Sequence, residues 1–512
     1  MSLAVVYTRA QVGVEAPLVG VEVHLSNGLP GLAIVGLPEA AVKESKDRVR
    51  GALLNSGLSF PARRITVNLA PADLPKEGGR FDLPIALGLL AASQQIPPEA
   101  LAHGEFLGEL GLGGELRAVK GVLPAAAACG AARRTLFLPA ANGAEAALVQ
   151  DLALVEAKTL GQLCQHLRGE QNLPPVTGRP PPRRPTPTFG DLRDVRGQHR
   201  ARRALEIAAA GGHHLLFMGP PGTGKTLLAS RLPGILPPLS DAEALESAAV
   251  RSVSGNSVDP NTWGDRPFRA PHHTASGVAL VGGGSNPRPG EISLAHLGVL
   301  FLDELPEFQR RVLEVLREPL ESGSITISRA ARQATYPARF QLVAAMNPCP
   351  CGYHGDPERL CHCGEELVRR YRGRLSGPLL DRIDLQVEVP RLPAHQLRGE
   401  SHEEDSSRVQ ARVVAARELA MARGFGPNAS LTPTAIEQTC GLGEGDYRLL
   451  EGAMEKLGLS PRAYHRILKV ARTIADLQSS AVIQTPHLSE AIGYRQLDRG
   501  ATRGGSQRAR VP

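Results

Sequence analysis

The alternation of apolar and polar positions changes character twice along the chain, and each stretch predicts a different kind of element. In residues 1–168, strand and helix patterns take turns. Val21, Val23 and Leu25 point one way while Glu22 and His24 point the other, the period of a half-buried strand. Pro38 opens a helix whose apolar stripe holds Val42, Val49 and Leu53. Residues 65–69 predict a second strand, 83–92 a buried helix, Gly113-Gly114 a hairpin turn, 125–132 a further helix and 136–138 a final strand. This stretch reads as a compact α+β domain.

From residue 190 the pattern shifts to short uncharged runs: Leu215-Leu216-Phe217-Met218, Val299-Leu300-Phe301-Leu302 and Leu342-Val343-Ala344-Ala345. Strands of this kind belong in a parallel sheet covered on both faces, because no face is left for water. The sheet domain is expected over 190–392. From 393 to 498 the period turns helical, at 406–423, 433–439 and 463–477. Leu173-Pro174-Pro175 and the Pro/Arg run at 179–187 cannot continue a helix or pair into a sheet. They mark a semi-stiff linker over 169–189. No short-period internal repeat is evident.

Composition narrows the class. With 42% hydrophobic and 21% charged residues, the chain is globular rather than disordered. Arg9 and Glu15 interrupt the first apolar stretch, and the start lacks a basic n-region and cleavage site. No membrane segment is expected, and a cytoplasmic location follows. The net charge of +7 is mild, but Arg499, Arg503, Arg508 and Arg510 crowd a basic tail at 499–512. That tail is either solvated or a phosphate contact. The seven cysteines argue against a disulfide framework in such a compartment.

The candidate chemistry sits after the first apolar run. Gly219-Pro220-Pro221-Gly222-Thr223-Gly224-Lys225-Thr226 fills every required position of a phosphate-binding P-loop. Its glycines let backbone N–H groups turn inward, and a helix beginning near Lys225 favours an anion. Lys225 is expected to reach the β- and γ-phosphates of ATP, and the Thr226 hydroxyl to ligate Mg²⁺. Asp303-Glu304 closes the run from Val299, at the edge where such sheets bind ligands. Asp303 would hold the Mg²⁺ shell and Glu304 would polarise the attacking water. Asn347, ending the third run, suits a side chain that orients that water; taken alone, an asparagine there is more often a turn former.

Together with 219–226, three segments carry a resemblance. They are Gly298-Val299-Leu300-Phe301-Leu302-Asp303-Glu304-Leu305, Asn347-Pro348-Cys349-Pro350-Cys351-Gly352 and Leu379-Leu380-Asp381-Arg382-Ile383-Asp384-Leu385. The chain resembles magnesium-chelatase-like AAA+ ATPases and, more narrowly, the ComM/YifB competence family. Ser460-Pro461-Arg462-Ala463-Tyr464-His465-Arg466 resembles that family's helical domain. The likeness runs from about residue 3 to residue 497.

The resemblance implies an α/β fold: an AAA+ P-loop domain with a parallel sheet and helical lid, preceded by a Lon-protease-like domain of the ribosomal S5 domain 2 type. It implies a homo-hexameric ring with ATP at each subunit interface, Arg382 as arginine finger and Arg462 as sensor arginine. Two insertions resemble pore-facing hairpins of the magnesium-chelatase and replicative-helicase branch. One spans 271–291 with Gly282-Gly283-Gly284 at its tip; the other spans 325–340, where Ile325, Ile327, Arg329 and Arg332 read as a hairpin with a basic tip. Arg329 and Arg332 would grip a DNA backbone there, or simply lie solvated. The function implied is an ATP-dependent, helicase-like DNA motor acting in branch migration during natural transformation and recombination. Two alternatives stand beside it: a chelatase-type motor remodelling a protein partner for Mg²⁺ insertion into porphyrin, and an ATP-switched scaffold.

Two further features need separate readings. In the Lon-like domain, Lys120 falls at the protease lysine, but the segment 76–84 covering the nucleophile has no serine and Asp82 takes the slot. The domain is therefore expected to be a non-proteolytic scaffold or docking module. Cys349, Cys351, Cys361 and Cys363, within an insert at 348–364, form C-x-C, nine residues, C-x-C. They could bind Zn²⁺, with His354 and His362 as possible substitutes, or be reduced, packed or redox-sensitive thiols.

Overall fold

A computed structural model describes residues 2–179, 189–256, 258–284, 287–329, 332–393 and 403–495. The basic tail at 499–512 and all of the Pro/Arg run at 179–187 except Arg179 lie outside the described residues.

The first domain is a mixed eight-stranded sheet. Its strands are β1 (Ser2–Arg9), β2 (Leu18–Ser26), β3 (Gly31–Val35), β4 (Arg64–Ala70), β5 (Gly104–Phe106), β6 (Thr135–Pro139), β7 (Ala153–Ala157) and β8 (Val176–Thr177). They lie in the order β8-β7-β6-β5-β1-β2-β4-β3. The alternation of β1 and β2 buries Val6, Val21 and Val23 on one face. Helix Asp82–Ala92, buried along its whole length, packs on that face. Gly88 permits the approach, since a Cβ there would fall 2.5 Å from Val23 Cγ2.

Two expectations need correction. The strand at 136–138 is not the last, because β7 and β8 follow it. The linker therefore starts later than 169: the prolines at 174 and 175 cannot pair, but Val176 and Thr177 after them do, as an edge strand on β7. The helix opened by Pro38 is broken into Ala40–Lys43 and Ser45–Asn55, yet Val42, Val49 and Leu53 are all buried as its pattern requires.

The second domain holds the expected parallel sheet: β9 (Leu215–Met218), β10 (Phe268–Arg269), β11 (Val299–Leu302), β12 (Gln341–Met346) and β13 (Leu385–Glu388). Their order is β10-β11-β12-β9-β13, every pairing parallel. Alternate residues feed two cores. Leu215, Phe217, Phe301 and Val343 face helix His199–Gly211 and the helices of the C-terminal domain, Ser406–Ala422 and Pro461–Leu477. Leu216, Met218, Leu300 and Leu342 face the other way, onto a hairpin of Ser324–Arg329 and Arg332–Pro337. Thr432-Pro433 and Ser460-Pro461 start their helices with a hydroxyl that accepts an N–H of the first turn, followed by a proline. Helices Glu444–Leu457 and Thr485–Gly493 complete this domain and were not anticipated.

The two halves share a core despite the intervening linker. Val122, Leu123 and Ala126 of helix Val122–Ala131 pack with Leu239, Ala244, Ala248 and Trp263 of the second domain. The backbone N–H of Gly121 donates to Ser252 O at 3.1 Å. Among the described residues no helix is long and apolar enough to cross a membrane.

Candidate functional site

The loop 219–226 leaves the carboxyl end of β9, between the ends of β12 and β13. Gly219 sits where a Cβ would lie 2.1 Å from Val389 O, so no larger residue fits. Gly222 and Gly224 take φ of +77° and +90°, backbone that a side chain rarely adopts. Lys225 opens helix Lys225–Arg231 and is buried. Its Nζ donates to Gly219 O at 2.7 Å, Pro220 O at 2.8 Å and Asn347 Oδ1 at 3.1 Å. Burial pushes its ammonium down to about 8, against the pull of Asp303 and Glu304 in the other direction.

The neighbouring strands bring the acids. Thr226 Oγ1 donates to Asp303 Oδ2 at 2.7 Å, and the Glu304 N–H donates to Asp303 Oδ1 at 2.9 Å. Glu304 holds φ of +51°, unusual for a side chain of its size. Its carboxylate is exposed and lies 3.0 Å from His273 Nδ1. Lys225, Thr226, Asp303 and Asn347 thus form one bonded cluster reaching across the ends of β9, β11 and β12. Its chemistry is coherent. A hydroxyl and a carboxylate are hard oxygen ligands of the kind Mg²⁺ takes, and a buried ammonium suits a phosphate.

Comparison with known proteins then fixes the family. Residues 191–397 match the family described as magnesium chelatase, subunit ChlI; 21–142 match subunit ChlI of Mg-chelatase, and 403–495 its C-terminal part. The chain is 55% identical to competence protein ComM of Haemophilus influenzae, over 98% of each chain. It is 53% identical to the uncharacterized protein YifB of Salmonella typhimurium, again over 98% of each. The chain belongs to the ComM/YifB family of magnesium-chelatase-like AAA+ proteins. Likeness to the magnesium-chelatase 38 kDa subunit of Cereibacter sphaeroides is weaker, at 27% over 38% of this chain. The AAA+ membership implies use of ATP and Mg²⁺, and the cluster above fits both.

Not every residue that the ComM/YifB resemblance singled out meets in that crevice. Arg382 is buried, with Nη1 donating to Pro378 O at 2.6 Å and Nη2 paired with Glu321. Arg462 is exposed at the start of helix Pro461–Leu477, with no ion pair among the described residues. The side chain of Arg329 lies outside the described residues. Arg332, expected at an open basic tip, is instead paired with Glu39 and Glu77 of the first domain. The hairpin's inner face, Ile325, Ile327 and Tyr336, is buried, and Tyr336 Oη donates to Pro287 O at 2.7 Å across to the other insertion. Gly282 and Gly283 form a strand of that insertion rather than its tip.

In the first domain, Asp82 is buried and gripped by Arg48 at 2.7 and 3.0 Å, while burial pushes its carboxyl up to about 6. Lys120 instead reaches Gly255 of the ATPase half, so the two do not pair. The four cysteines 349, 351, 361 and 363 converge, all sulfurs lying within 4.8 Å of one another.

Three residues at the crevice escaped sequence reading. His273 faces Glu304; its place shortly after the strand Phe268–Arg269 carries no motif. Gln198 Nε2 donates to Thr223 O at 3.4 Å and Pro390 O at 2.8 Å, tying the loop to the segment after β13. Gly352 lies so near the loop that a Cβ there would fall 2.6 Å from Pro221 Cδ.

Proposed function

We propose that this chain is an ATP-driven DNA motor, working in the cytoplasm as a ring of six copies and migrating branched DNA in natural transformation and recombination. The bonded cluster of Lys225, Thr226, Asp303 and Asn347, in a chain alike end to end to a protein named for competence, carries the reading.

Each side chain then has a task. The Lys225 ammonium exchanges its carbonyl partners for β- and γ-phosphate oxygens. Thr226 and Asp303 would hold Mg²⁺, which would supply positive charge at the phosphates. Glu304 accepts the proton of the attacking water, and for that its carboxylate must part from His273. Asn347, bonded to Lys225, orients the water. Arg382 of a neighbouring copy would meet the γ-phosphate after leaving Glu321, and Arg462 would contact the nucleotide from the lid. The hairpin at 324–337 would move along the strand, with Arg332 trading Glu39 and Glu77 for phosphates. The first domain we read as a Lon-protease-like fold without protease chemistry, since Asp82 is bound by Arg48 and is no nucleophile for a peptide.

The test is the ATPase rate with and without forked or single-stranded DNA at low salt, in wild type and Glu304→Gln. Stimulation by DNA, lost in the variant, is the expected outcome. Hydrolysis that no DNA stimulates would point instead to a chelatase-type motor acting on a protein, a reading that the partial coverage of the chelatase subunit supports less well.

A further inference from the structure

We infer that Cys349, Cys351, Cys361 and Cys363 hold one structural Zn²⁺, which fastens the loop 347–364 against the phosphate loop. Three sulfur separations, Cys349–Cys351 at 3.3 Å, Cys349–Cys361 at 3.7 Å and Cys351–Cys361 at 3.6 Å, describe one face of a compact figure. Cys363 closes it within 4.8 Å. A tetrahedron of thiolates about 2.3 Å from zinc has edges of about 3.8 Å. A disulfide needs about 2.05 Å, so none is formed. Four sulfurs fill a tetrahedral shell, which makes the site structural rather than catalytic. The exposed His354 and His362 are then not required.

The loop itself argues for a staple. Residues 347–364 contain no helix or strand, and 357–360 are all exposed, with Leu360 85% open to solvent. A loop of this length has little apolar burial to offset its ordering entropy. The thiol pairs stand at its two ends, one after β12 and one just before helix Glu365–Arg372, so a shared ion closes it where closure orders most chain. The Cys363 N–H points at Cys361 Sγ at 3.4 Å, the kind of donor that stabilises a bound thiolate.

Its place gives the ion a purpose. Cys349 follows Asn347 by one proline, and Gly352, turning at φ of +85°, lies against Pro221 of the phosphate loop. Arg372 Nε donates to Pro348 O at 3.0 Å, holding the loop from its other side. Losing the ion frees the wall behind Pro221 and the backbone that carries Asn347. That fastening rests on the ATP-site reading; the metal does not.

Metal content by mass spectrometry and binding of a fluorescent ATP analogue test the two parts separately. Wild type and Cys440→Ser, a buried isolated cysteine, should carry about one zinc per chain, and Cys361→Ser/Cys363→Ser almost none. The double variant should also bind the analogue at least about fivefold more weakly. Should it fail to fold, a mercurial titration of wild type reads the same site, releasing zinc as the thiols are blocked. Wild-type protein that neither contains zinc nor takes it up from equimolar solution overturns the site. Zinc lost without any change in nucleotide affinity overturns the fastening.

Discussion

The crevice at the end of the five-stranded sheet and the cleft of the first domain are built from similar parts. Each offers a lysine, an acid and glycine-rich backbone. In the crevice, Lys225 is buried but bonded only to carbonyl and amide oxygens, so its charge is left for an anion. In the first domain, Asp82 spends its charge on Arg48, and Lys120 lies at the domain boundary beside Gly255. The cleft between them is lined by Gln11, Glu77, Arg80 and Glu109 and is closed by Tyr336 and Arg288 of the ATPase half. Residue types alone do not make a reactive site; what matters is whether the buried charge already has a partner.

The largest expected effect tests whether the crevice needs a residue it does not contain. On the proposed ring, Arg382→Ala should lower hydrolysis by about 10³–10⁵, with ATP binding retained. An unchanged rate would leave Arg382 as a partner of Glu321 and nothing more. Glu304→Gln should lower single-turnover hydrolysis by about 10²–10⁴ while the nucleotide still binds.

Next, Arg48→Ala should cost the first domain about 3 kcal/mol in denaturant at pH 8, because Asp82 stays buried without its partner. The folded-state pKa of Asp82 already lies above its unfolded value, so acid favours the native form, and the cost should shrink at pH 5. ATP hydrolysis by the protein still folded should not change.

The pH dependence of ATP affinity sharpens the same contrast. Lys225 titrates at about 8 in the free protein, and phosphate favours its protonated form, so binding takes up a proton. Affinity should be level below that pH and fall by up to about tenfold per unit above it, as calorimetry in buffers of different ionisation heat would show. Smallest of all, Lys120→Ala should alter stability by no more than about 0.5 kcal/mol and leave hydrolysis intact. Loss of turnover in that variant would break the contrast between the two sites.

Much of this was legible in the sequence wherever one short segment carries both pattern and chemistry. The loop 219–226 and the strands ending at Asp303 and Asn347 are of that kind, since a buried strand followed by a polar residue fixes direction and sheet edge together. Cys349 to Cys363 could be paired by spacing, but only the fold of the loop brings the sulfurs together. The engagement of Arg332 by Glu39 and Glu77 was not readable, because more than 250 positions separate it from each and no local period links them. Helix Glu444–Leu457 went unseen although Tyr447, Leu450, Met454 and Leu457 recur at helical spacing; of these only Leu450 and Leu457 are buried.

The shared core around Trp263 has a mechanical consequence. A domain strung on a flexible tether would absorb the recoil of each cycle. Here helix Asp241–Ser254 of the second domain is seated directly on helix Val122–Ala131 of the first. On the proposed motor, a displacement of Asp241–Ser254 would press on Val122–Ala131 and so on the N-terminal sheet beneath it, making that domain an outrigger rather than a passenger.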